Sequence, residues 1–283
     1  MSGRNSNLVL IWQQIRYQNK IFWRTPVAAF FTIAFPLMFL FVFVTLFGND
    51  NIAELGVTTS QFYAPALAVF GAVSATYTNL AIGTAMSRDE GILKRVRGTP
   101  LPPWIYMAGR VGSAVWIGFL AVLLMMGVGV VIYGVDVYAV SIVAALVTFV
   151  LGVACFAALG LLIAALAPTG DTAPAIANAT LLPLAFISDI FIVPGDGSPG
   201  WIETVGNLFP LKHFAVAFSD AFSPIETASR GGWLDQFHWE NYAVILLWLV
   251  GGVLLAIRFF SWEPRGGERK RSARSRAKTA ASA

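Results

Sequence analysis

Residues 87–102 read SRDEGILKRVRGTPLP and hold six charged side chains in sixteen positions. The chain on either side is almost uncharged for more than twenty residues. Over all 283 residues the composition is 57% hydrophobic and only 12% charged, against about 25% charged in an average soluble domain. Val27–Phe47, Phe62–Met86 and Tyr138–Ala167 carry no charge at all. A bilayer core of about 30 Å is crossed by about 20 apolar residues in helix, and a soluble core helix rarely stays apolar all round for that long. The expected fold is therefore an all-α integral membrane protein with six transmembrane helices, at about 27–47, 61–86, 104–133, 138–167, 173–193 and 241–262. The fifth contains Pro174, Pro183 and Asp189. The first is too long for the apolar region of a cleaved signal peptide and follows about twenty-six polar and amphipathic residues. Cys155 is the one cysteine; it lies mid-span and reads as helix packing.

Charge sets the orientation. Seventeen of the nineteen lysines and arginines lie before the first span, between the second and third, or after the sixth. With six spans these places share one side, which the positive-inside rule makes cytoplasmic, with both termini. Asp50, Glu54, Asp136, Asp196, Glu203, Asp220, Glu226, Asp235 and Glu240 fall on the other side. The tail, residues 263–283, is rich in Ser, Ala, Lys and Arg; it reads as a disordered cytoplasmic anchor near anionic lipid. Within the opening segment, residues 1–26, Leu8, Ile11, Trp12, Ile15 and Phe22 recur at helical spacing. That predicts an amphipathic helix lying in the cytoplasmic interface. Residues 194–240 carry eight Phe and Trp among polar residues, which predicts amphipathic pieces resting in the outer interface.

In the charged stretch, Ile92, Leu93 and Val96 alternate with Lys94, Arg95 and Arg97, and Gly98-Thr99-Pro100 closes the run. The pattern predicts a short amphipathic helix on the cytoplasmic face, either a topological clamp or a docking element. Catalytic chemistry is missing. None of the five lysines follows a glycine, so the chain has no P-loop. His213 and His238 stand far apart in the last outer loop, and HExxH and CxxC motifs are absent. We expect no catalytic residue, no metal site and no cofactor of the chain's own. Proton-coupled transporters use several intramembrane acids; only Asp189 is offered here.

The order of elements resembles the permease subunit of an ABC-2 type exporter over nearly the whole chain. The most specific part, RDEGILKRVRGTPLPPWIYMAGR at 88–110, is similar to the acidic–Gly–Leu–Lys/Arg–Thr–Pro stretch of daunorubicin-resistance-like efflux permeases. LLPLAFISDIFIVP at 181–194, then Trp201, then NLFPLKHFAVAF at 207–218, resemble the family's fifth span, outer re-entrant hairpin and following Pro-centred turn. Asp189 departs from the small or apolar residue usual there. The resemblance implies that 87–103 is a coupling helix docking on a separate ATP-binding subunit, with Arg88, Asp89, Glu90, Gly91, Leu93, Lys94, Arg95 and Arg97 as its coupling residues. It implies that the N-terminal helix is a connecting helix. It implies two permease copies with two ATPase subunits, which bind ATP and magnesium, in the plasma membrane. Spans one, two and five would line the path for an outward-moving amphipathic drug-like or lipid-like substrate. Asn79, Asn178, Thr180, Phe186 and Asp189 are the path candidates, the two asparagines either bridging helices or touching substrate. Asp189 either caps the re-entrant piece, pairs with Lys212, or meets a cationic substrate group at the exit. The rival readings are a non-transporting membrane subunit that recruits an ATPase, and a polysaccharide exporter permease of the same fold.

Overall fold

A computed structural model describes residues 2–52, 55–193 and 199–263. The tail beyond residue 263 lies outside the described residues. Helices dominate. α1 is Ser2–Trp23, α2 Pro26–Phe47, α3 Thr59–Asp89, α4 Ile92–Arg97, α5 Pro103–Tyr133, α6 Ile142–Leu166 and α7 Ala173–Phe186. α8 is Gly200–Gly206, α9 Pro210–Asp220, α10 Pro224–Arg230 and α11 Trp239–Phe259. A two-residue hairpin pairs β1 (Asn51–Ile52) with β2 (Val57–Thr58). Five helices, α2, α3, α5, α6 and α11, are long and apolar enough to cross a membrane.

The fifth expected span differs. α7 stops at Phe186, and residues 187–192 turn instead of continuing to 193. Three residues past that end stands Asp189, the one non-glycine with a left-handed backbone among the described residues (φ 56°), a conformation a helix cannot contain, so the helix does not resume there. At fourteen residues, α7 is about 21 Å long, shorter than a bilayer core.

α3 is the central pillar. It packs on α2, α5, α6, α7 and α9, and small residues let the backbones close. The α carbon of Gly118 in α5 lies against the Ala72 backbone, Gly71 against the Thr32 carbonyl, and Gly160 of α6 against Thr76 and Tyr77. With no hydrophobic drive between helices in lipid, such close approach and interhelical hydrogen bonds hold a bundle. Thr148 to Tyr242 at 2.8 Å adds one between α6 and α11.

Residues 24, 90–102 and 167–172 gather at one end, here the basic end. Residues 49–52, 55–58, 134–141 and 221–238 gather at the other, the acidic end. α9 packs on α3, α6 and α11, and the turn that leads into it from α8 is held against α11. The Leu208 carbonyl accepts from Trp248 Nε1 at 3.0 Å, nine residues into α11. The Asn207 carbonyl meets His213 Nε2 at 2.8 Å. The turn N–H groups of Asn207 and Leu208 bond to Glu203 and Val205. Every one of these polar groups is paired, as irregular backbone at membrane depth requires.

α1 forms as its spacing predicts but turns a different face inward. Phe22 is buried, and Ile11, Gln14, Ile15, Gln18 and Asn19 are half-buried, while Leu8 and Trp12 are exposed. The cause is α5: Gly109 and Gly112 admit Gln14 and Ile15 against its backbone, and the helix follows those two notches. Leu8 and Trp12 are left exposed.

Candidate functional site

The charged stretch is built in two layers. Its first half is locked into the bundle. Arg88 is fully buried; Nη1 and Nη2 donate to the carbonyls of Ala164 and Ala167 at 2.8 Å each, and Nε to Asp89 Oδ1 at 3.0 Å. These carbonyls end α6, where the last four lack helical partners and a cation is favoured. Asp89 Oδ2 accepts from Gly170 N–H at 2.6 Å. Arg88 and Asp89 thus staple α3 to the α6–α7 connection; Arg88 is withdrawn from the surface, while the Asp89 side chain stays 24% exposed. Leu93 is also fully buried, between α4 and its neighbours α3 and α5. It secures α4 to the bundle and is not offered outward.

The second layer faces water. Glu90, Lys94, Arg95 and Arg97 are exposed, with Ile92 and Val96 half-exposed between them. Glu90 caps the end of α3, two residues before α4 begins, and its carbonyl accepts from Arg95 Nη2 at 3.0 Å. Gly91 takes φ 71°, and an added side chain there would meet no atom within 4 Å. Backbone conformation alone requires glycine. Arg110, not singled out from sequence, braces the same end. It is buried and donates to Ser87 Oγ at 2.9 Å and Tyr106 OH at 3.0 Å.

The path candidates divide. Asn79 Nδ2 donates to Thr32 Oγ1 at 3.0 Å, bridging α3 to α2. Thr180 donates back to the Ile176 carbonyl at 2.8 Å and meets Tyr77 OH at 2.5 Å. These two are satisfied inside the chain. Asn178 and Phe186 lie on one exposed face of α7 with Ala175, Ala179 and Leu182. Asp189 pairs with Lys212 Nζ at 3.4 Å, one of the alternatives left open by the sequence. Two short π-helical stretches went unread: Phe30–Ala34 in α2 and Ser74–Thr78 in α3. They pack on each other beside the Asn79–Thr32 bond, and π-bulges concentrate at functional positions.

With this geometry in view, comparison with known proteins gives the family. Residues 9–222 match the model described as ABC-2 type transporter, and the chain belongs to that family. It is 30% identical over 200 residues, 68% of this chain and 67% of the relative, to the daunorubicin resistance ABC transporter permease protein DrrB1 of Streptomyces coeruleorubidus. It is 24% identical over 195 residues, 68% and 75% of the two chains, to the inner membrane transport permease YadH of Escherichia coli K12. It is 23% identical over 225 residues, 80% and 86%, to the putative transport permease YvfS of Bacillus subtilis. The chain is a multi-pass membrane permease of an ABC transporter, a subunit that is not itself catalytic and that works with an ABC ATP-binding subunit.

Proposed function

We propose that this permease is half of an ATP-driven exporter that moves an amphipathic drug-like or lipid-like substrate outward across the plasma membrane. The basic end faces the cytoplasm, and α4 docks on the ATP-binding subunit, which holds ATP and magnesium. Two permease copies pair with two such subunits. One observation carries the reading: α4 presents exposed charge outward while its buried side is fixed to two spans, α3 and α5. Glu90, Lys94, Arg95 and Arg97 are free to meet a partner. Leu93, Arg88 and Asp89 pass any displacement of α4 into α3, α5 and the α6–α7 connection. A topological clamp needs only the positive charge, not the stapled base.

The test is Glu90→Arg in the permease reconstituted with its ATP-binding subunit. The site is at the water surface, so insertion and thermal stability should match wild type. Transport and substrate-stimulated ATP hydrolysis should fall at least tenfold. Efflux equal to wild type at equal expression would remove the docking role. Wild-type ATPase activity that no substrate stimulates would favour the non-transporting recruiter instead.

A further inference from the structure

At the acidic end, a cavity of about 230 Å3 opens between the β1–β2 hairpin, the start of α3, and helices α9 and α10. Val57, Phe62, Ala215, Val216 and Ile225 give it apolar walls. Three carboxylates line it: Asp189, Asp220 and Glu226. Two are matched. Lys212 stands 3.4 Å from Asp189, and Arg230 stands 3.5 Å from Glu226. The ion-pair contact of Asp220 among the described residues is His238 Nδ1, at 3.7 Å. The three carboxylates do not converge on one metal position, since no group of three acidic, His or Cys ligands does so among the described residues.

We propose that this cavity binds a monovalent organic cation with an apolar body, the charge set against Asp220 and the body against Phe62, Ala215 and Ile225. The charge balance supports it. Burial, then the Arg230 charge, pushes His238 down to about 4, so at neutral pH the imidazole is uncharged and the cation left near Asp220 is Arg230, which is paired with Glu226. Burial and then Glu226 push Asp220 up to about 7, with Arg230 opposing. A carboxylate kept this reluctant to ionise gains most from a cation that enters. The groups around it are Glu226 and Arg230 on α10, His238, and Asp189 with Lys212 across the cavity. Gln61, also in the lining, is fixed: Nε2 donates to the Phe222 and Asp136 carbonyls, and Oε1 accepts from Asp136 N–H. It forms wall, not a mobile ligand. As a station on an export path, the site rests on the reading above; as a binding site, it does not.

The experiment uses the full chain alone in phosphatidylcholine nanodiscs, titrated calorimetrically with benzyltrimethylammonium and with benzylsulfonate, an anion of similar shape. At pH 8 the cation should bind saturably and at least tenfold more tightly than the anion. Binding should weaken at least fivefold at pH 5.5, as Asp220 takes up its proton. Asp220→Asn should weaken it at least tenfold. So should Val216→Phe, which fills the cavity and leaves every charge in place, and which decides the matter if Asp220→Asn does not fold. Equal binding of cation and anion overturns the proposal, as does wild-type affinity in Val216→Phe or displacement of the probe by equimolar calcium. No ATP-binding subunit is present, so failure here leaves the export reading standing. Binding without transport in the reconstituted pair would remove that reading and keep the site.

Discussion

Arg88 shows how far a single side chain in this protein is from what its neighbours in sequence suggest. It sits in the most charged stretch of the chain, yet it is buried with three acceptors. Arg88→Ala would strand two helix-end carbonyls and Asp89, and breaking a buried charged contact costs about 3–5 kcal/mol. A melting temperature lowered by many degrees in detergent is expected, with no rescue by Arg88→Lys, because an ammonium cannot supply the planar fork. An unchanged melting temperature would contradict the staple. Asp220 and His238 make a second residue-scale prediction, on pH. Asp220 is held at about 7 against an ordinary 3.8, so its contribution to stability is full below about 3.8 and is lost as pH rises through 7. His238 is held at about 4 against 6.5, so its contribution is full above 6.5 and is lost as pH falls towards 4. Between about 4 and 6.5 the two changes offset one another. Asp220→Asn removes one of them. The variant should then lose on the order of 2–3 kcal/mol as pH falls from 6.5 to 4, where wild type stays nearly level. Parallel pH curves for the two proteins would show that the pair does not compensate.

At the scale of the element, α4 is six residues long, far too short to be stable alone. It exists because Gly91 turns the chain and Leu93 is buried beneath it. Gly91→Val should cost about 1–2 kcal/mol in the left-handed position and tilt α4 on its base. Membrane insertion should survive; co-purification of the ATP-binding subunit should drop several-fold, and undiminished recovery of the complex would refute this. The sequence made α4 legible because its charges and apolar residues alternate at helical spacing between Gly and Pro. The long uncharged runs likewise placed the ends of α2, α3, α5 and α11 within about three residues. What was not legible depends on contacts between distant residues. The burial of Arg88 is decided by carbonyls 76 and 79 residues away, the inward face of α1 by two glycines on α5, and the failure of α7 to resume by a backbone angle at Asp189. The π-helical turns have no local signature in side-chain pattern at all. Among the path candidates, hydropathy could show that Asn79, Asn178 and Thr180 were polar within apolar runs, but not that Asn178 alone of these three is exposed.

For the whole molecule, that exposure has a meaning. An amide facing hydrocarbon without a partner costs roughly 1–3 kcal/mol, and the face of α7 that carries Asn178 is otherwise Ala175, Ala179, Leu182 and Phe186. If two copies pair as proposed, this face is where they meet. Asn178→Cys, in a Cys155→Ser background, should yield a disulfide-linked dimer on mild oxidation in membranes. The same replacement at Leu247, exposed on α11, should not, and equal yields would place the contact elsewhere. The turn between α8 and α9 bears on what such an assembly must do. It hangs at Trp248, nine residues below Trp239, which is about 13 Å along the helix of a hydrocarbon layer about 30 Å thick. If α11 crosses the bilayer with Trp239 at its surface, the turn places polar backbone inside the low-dielectric layer on this side. The electrostatic self-energy that opposes passage of a charged headgroup grows with the thickness of low-dielectric material around it. If the chain exports as proposed, a cargo leaving beside this turn crosses less low-dielectric material than a full bilayer holds, and the work demanded of each ATP cycle shrinks accordingly.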